Sequence, residues 1–211
     1  LHMTEYMFSM LALQPIQLPS ISPTSSRTNL DFKTVAGRLC EVSGQHNQAQ
    51  MSVAFRLILE AQKQGEQVAW ISLTKSTFFP PDAQAHNVGL ESLVVVRVPD
   101  CRAIARCADK LARSSAFGLI LLDLEQTPQL SSPIVSRLNQ LCQKHQTAIL
   151  CLTQKETDQA SVSPLVSLRV SAQRVQHAPF SYTCTAQILK DKRGGPGHKF
   201  KVNHRSLPGL P

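Results

Sequence analysis

Short runs of apolar, β-branched residues alternate with amphipathic segments from residue 38 to residue 153, and this alternation leaves few folds open. Residues 38–43 (RLCEVS), 67–73 (QVAWISL), 93–98 (LVVVRV), 117–124 (FGLILLDL) and 147–153 (TAILCLT) have the length and composition of strands. Residues 51–64, 82–87, 101–115 and 131–145 lie between them with helical spacing, and Gly65 and Gly89 stop the first two. Strands that are apolar almost throughout are covered on both faces. The pattern therefore predicts a mostly parallel central sheet flanked by helices, with LVVVRV among the buried strands. Residues 164–171, 180–190 and 198–203 alternate more strictly, which predicts a terminal antiparallel meander.

The ends differ from this middle. Residues 14–30 (QPIQLPSISPTSSRTNL) are rich in Pro, Ser and Thr and read as a linker. Residues 4–13 suit a short apolar helix, with Tyr6, Phe8 and Met10 as a patch that docks on a partner or on its own domain. The expected division is 1–36 for the apolar segment and linker, 37–205 for the core domain, and 206–211 for a flexible end. Residues 7–13 (MFSMLAL) are too short to span a membrane and lack the flanks of a signal peptide. The six cysteines show no metal-binding spacing, which predicts small buried thiols in a reducing cytoplasm and no metal. Lys and Arg number 22 against 14 acids, a net charge of +8 that favours a polyanionic partner such as nucleic acid.

The strand–loop–helix over residues 38–59 occupies the place of a phosphate-binding loop. Such a loop uses glycines to bring backbone N–H groups to phosphate, a lysine to neutralise it and a hydroxyl to hold magnesium. Here the stretch runs Gly44-Gln45-His46-Asn47-Gln48-Ala49-Gln50-Met51-Ser52. Gly44 fits, but Ala49 stands for the second glycine, Gln50 for the lysine and Met51 for the hydroxyl residue. LILLD ends in Asp123, which fits either a magnesium-linked aspartate or a residue capping the next turn.

The stretch GRLCEVSGQHNQAQMSVAFRLILEAQKQGEQVAWIS resembles the start of the RecA core in segment order and length. NVGLESLVVVRVPD, ADKLARSSAFGLILLDL, TAILCLTQ, LVSLRV and ILKDKRGGPG continue the series over about residues 37–203. FFPPDAQAHNVGLESLVVVR and LKDKRGGPG are similar to the ImuA group, degenerate RecA relatives of bacterial mutagenesis cassettes; SulA belongs to the same branch. The resemblance implies an α/β, RecA-like core with a C-terminal antiparallel extension. It places the catalytic glutamate near Thr74, the magnesium-linked aspartate at Asp123 and the γ-phosphate-sensing glutamine at Gln154. It also places the paired lysines that reach a neighbour's ATP at Lys190 and Lys192. With Gln50, Met51 and Thr74 at clamp, metal and base positions, no catalysis and no cofactor are expected. The intervals that carry the family's DNA-binding loops, 125–132 and 155–163 (KETDQASVS), are short and not basic.

Residues 190–205 (KDKRGGPGHKFKVNHR) hold Lys190, Lys192, Arg193, Lys199, Lys201 and Arg205 around a GGPG turn. Three readings stay open: non-specific phosphate contact with DNA, contact between protomers, or a solvated edge hairpin. The expected function is a non-catalytic accessory of DNA damage tolerance that binds DNA, RecA or an error-prone polymerase complex. Self-association fits too. The alternatives are a SulA-like inhibitor of division and a weak residual ATPase.

Overall fold

A computed structural model describes residues 30–45, 49–76, 78–124, 130–178, 181–194, 197 and 199–205, with 176–178, 181, 182 and 200–205 described for backbone alone. Tyr6, Phe8, Met10 and residues 206–211 lie outside the described residues. The helices are α1 (Phe32–Val35), α2 (Ala49–Lys63), α3 (Pro80–Ala85), α4 (Cys101–Ser114) and α5 (Ser132–His145). The strands are β1 (Leu39–Gly44), β2 (Val68–Leu73), β3 (Leu93–Val98), β4 (Leu119–Asp123), β5 (Ala148–Gln154), β6 (Leu168–Ala178), β7 (Ser181–Asp191) and β8 (Lys199–Arg205).

The strands form one eight-stranded sheet in the order β3-β2-β4-β5-β1-β6-β7-β8. Pairings from β3 through β6 are all parallel, and β7 and β8 add antiparallel. This is the α/β, RecA-like architecture with its antiparallel extension. The expected meander is present as β6, β7 and β8, and β6 joins it to the rest of the sheet by also pairing parallel with β1.

Each sheet face has its own core. Phe55, Leu57 and Ile58 of α2 pack with Trp70, Leu121 and Leu150 on one face. Ile104 and Ala108 of α4 and Leu138 of α5 pack with Ile71, Ile120, Leu122 and Ile149 on the other. Leu119, Ile120, Leu121 and Leu122 are fully buried, as LILL predicts, each contributing roughly 1.5–3 kcal/mol by its removal from water. Packed structure starts ahead of Gly37: Asp31 caps α1 through Thr34 N–H (2.9 Å), and Leu30, Phe32 and Val35 are buried with α2.

The burial expected for LVVVRV is corrected. β3 is one of the sheet's two edge strands, and its adjacent residues Val94 and Val95 are 43% and 36% exposed. An apolar β-branched run suits a half-covered edge strand as well as a central one, and only the strand order separates them.

Candidate functional site

Parallel strands aim their carboxyl ends at one rim of the sheet, where open α/β folds place ligands. Gly44 ends β1, Thr74 follows β2, Asp123 ends β4 and Gln154 ends β5. The register sets Gly44 beside Gln154 and Asp123 beside Leu152, so the residues read from sequence as a nucleotide site do share this rim.

Their chemistry differs from a phosphate cradle. Gln50, in the first turn of α2, is 5% exposed, and its side chain folds back over Gly44. Its Oε1 lies so close that a Cβ at residue 44 would collide with it, and the Ala172 carbonyl would sit 3.3 Å from that Cβ. The retained glycine thus makes room for an amide where a cradle needs room for phosphate. Among the described residues Gln50 Oε1 has no hydrogen-bond partner. Met51 is half-buried and packs against the core. Ser52 is buried, and its hydroxyl reaches Cys184. Burial pushes the Cys184 thiol up.

Asp123 accepts a hydrogen bond from Ser76 Oγ at 2.7 Å, a partner on the turn after β2 that sequence reading did not single out. Thr74 gives its N–H (2.9 Å) and its hydroxyl (3.0 Å) to the Val98 carbonyl, which ties β2 to the end of β3. Gln154 is exposed at the rim. A cavity of about 190 Å³ lies to one side of these groups, between the start of α2 and β6, lined by Gln45, Ala49, Ala172, Gln173, Arg174 and Val175.

The segment after β5 is held from three directions. Glu41, wholly buried within β1, pairs with Lys155 Nζ at 3.0 Å. It also accepts from Thr153 Oγ1 and from Val162 N–H, each at 2.9 Å. The Arg169 guanidinium donates to the carbonyls of Gln159 and Glu156. Lys190 and Lys192 both donate to the Pro164 carbonyl, at 3.2 and 3.0 Å. Burial and the neighbouring Lys192 ammonium bring the Lys190 pKa below its usual value. Glu41 and Arg169 were not read from sequence. The available signal was a lone carboxylate inside the apolar run RLCEVS, since a buried charge requires a partner.

Asp191 ends β7 and pairs with Arg38 at 2.5 Å, both side chains being at most 2% exposed. Arg38 also reaches the carbonyls of Thr34 and Ser167 and the Ser167 hydroxyl. Burial raises the Asp191 pKa, but hydrogen bonds from Arg193 N–H and Arg38, with the Arg38 charge, outweigh it and hold the carboxyl below its usual range. Arg193 and Lys199 are exposed, whereas the Lys201 and Arg205 side chains lie outside the described ones. Among the described residues no cluster of His, Cys, Asp or Glu suits a metal ion, and no helix is long and apolar enough to cross a membrane.

The sheet order, the strand–loop–helix entering α2 and the polar rim define an α/β protein with a RecA-like core. The curated relatives are RecA proteins themselves. That of Fusobacterium nucleatum is 33% identical over 87 residues, 41% of this chain and 23% of the relative. That of Picosynechococcus sp. is 32% identical over 87 residues, 41% and 25% of the two chains. That of Bifidobacterium breve is 29% identical over 115 residues, 52% and 29%. The chain spans about a quarter of the length of the curated relatives it matches. No family model matches it. These likenesses establish a RecA-like relationship.

Proposed function

We propose that this chain is a non-catalytic RecA-like accessory protein of the bacterial DNA damage response. In this reading it works in the cytoplasm, binds DNA without sequence preference and contacts RecA or an error-prone polymerase complex in translesion synthesis. The observation that carries the non-catalytic part is Gln50, buried over Gly44 where an ATPase keeps a lysine free for phosphate. Triphosphate charge entering here meets a neutral amide, and Met51 offers magnesium no ligand. The DNA part draws on the net charge of +8 and on the exposed Arg193 and Lys199 of the C-terminal strands.

Calorimetry with Mg-ATP, with and without DNA, tests it. The expected result is no saturable binding in the micromolar range and no phosphate release. Micromolar binding or DNA-stimulated turnover overturns the non-catalytic reading. A SulA-like, purely protein-binding regulator is the second reading, and one observation favours it. The β3 edge presents Val94 and Val95, and Phe79 is 46% exposed, so the chain offers apolar surface that nucleic acid does not need.

A further inference from the structure

α4 and α5 lie side by side on the sheet face opposite α2, and their outer surface is unusual in charge. Together they carry Arg102, Arg106, Lys110, Arg113, Arg137 and Lys144, all exposed, against one acid, Asp109. Asp109 pairs with Arg113 (2.9 Å) and Arg137 (2.6 Å), which joins the two helices. Among the described residues, Arg102, Arg106, Lys110 and Lys144 have no acidic partner. Solvated helix faces normally interleave both signs at three- and four-residue spacing, as Glu60 and Lys63 do on α2 at 3.2 Å. On α4, residues 102, 106 and 110 at four-residue spacing are all cations, while the helix's one acid, Asp109, is held by Arg113 and Arg137. Arg102 stands in the first helical turn, where the helix dipole disfavours a cation, so it is not there for the helix.

From this surface we infer a docking site for the phosphate backbone of a nucleic acid, running along α4 from its start just after β3 and distinct from the β7–β8 strands. The inference rests on the DNA-binding reading above and gives it a location. At 1.5 Å per residue the α4 row is about 16 Å long, alongside roughly five phosphates of one duplex strand. A protein partner would leave another signature. Protein interfaces centre on buried apolar or aromatic anchors, and none of the exposed large hydrophobic residues, Phe79, Val94, Val95 and Val175, belongs to α4 or α5. A row of cations without anchors suits a partner recognised by its charge.

The test uses the full chain carrying Arg102→Gln, Arg106→Gln and Lys110→Gln together, beside a Lys199→Ala, Lys201→Ala chain. Circular dichroism confirms that both fold. Fluorescence anisotropy follows a labelled duplex across a salt series. For the α4 variant, log affinity against log salt should flatten by about 2.7, the share of three phosphate contacts. Extrapolated from equal affinity near molar salt, that is a loss of several hundredfold at about 0.1 M. An unchanged slope in the α4 variant with a flattened slope in the Lys199, Lys201 variant overturns this inference and leaves the DNA-binding reading standing. Wild-type chain that binds no duplex even at low salt overturns both. Wild-type chain that binds polyglutamate but no duplex assigns the face to an acidic protein, and the inference fails.

Discussion

Two groups of cations in this chain contrast. Arg38, Lys155, Arg169, Lys190 and Lys192 spend their hydrogen bonds on the protein's own carboxylates and carbonyls. Arg102, Arg106 and Lys110 on α4 face water without an acidic partner. The first group binds the segment after β5 and the end of β7 to the sheet, and the second makes no ion pair within the described residues. A formal charge of +8 therefore overstates what the strand-end region offers a polyanion and understates what α4 offers. Arg38, Lys155 and Arg169 are buried or nearly so and must be paired, whereas an exposed cation without a partner contributes little to folding and remains available to a ligand.

If that division is right, the largest effect belongs to the buried pair. Asp191→Asn leaves the Arg38 charge enclosed with only neutral acceptors, and it should lower unfolding stability by about 3 kcal/mol in urea titration at neutral pH. Because the folded carboxyl is held below its usual range, its contribution is complete above the unfolded pKa and is lost as pH falls through the folded one. The gap between wild type and variant should therefore begin to narrow below about pH 4 and close only once the folded carboxyl is protonated. A gap under about 1 kcal/mol at neutral pH would show that the pair is no stronger than a surface one and erase the contrast.

Lys155 gives the next effect. Lys155→Met keeps the stem that packs here but removes the charge facing Glu41, which retains its bonds from Thr153 and Val162. With two donors left, the expected cost is about 2 kcal/mol. Amide exchange should quicken across residues 155–163. Adding Glu41→Gln should recover most of the loss, because the stranded charge disappears. If the double variant is as unstable as the single one, the pair is not what holds this segment.

The contrast was only partly legible in the sequence. Strand and helix positions come from local periodicity, and LILLD and TAILCLT carry theirs within a few residues. The edge position of LVVVRV depends on the order of strands far apart in the chain, which no window shows. The rim was legible because Gly44, Asp123 and Gln154 each end an apolar run, so a parallel sheet brings them to one edge. Gln50 could be read as a missing lysine, but its fold back over Gly44 could not, since a side chain's rotamer is settled by packing around it. The charged residues followed the same division. Residues 190–205 stand out by linear density, yet Lys190 and Lys192 both donate to the Pro164 carbonyl. The α4 row is spread over a dozen residues and shows only at four-residue spacing, although that spacing was there to be counted.

Arg102 should give the smallest effect and the most discriminating one. Asp100 caps α4 by accepting from Ala103 N–H at 2.7 Å, which satisfies one of the first-turn donors. Arg102 follows it into that turn, where the dipole opposes its charge, and it is exposed. Removing the guanidinium therefore takes away a small repulsion and no packing. Arg102→Ala should leave the urea midpoint unchanged or raise stability by a few tenths of a kcal/mol, with alanine's helix propensity adding in the same direction. Measured beside Lys155→Met under identical conditions, it sets a cation the fold does not use against one that it does. A loss of about 1 kcal/mol or more in Arg102→Ala would mean that the side chain has a structural partner. The α4 row would then belong to the same population as Lys155, and its availability to a polyanion would have to be given up.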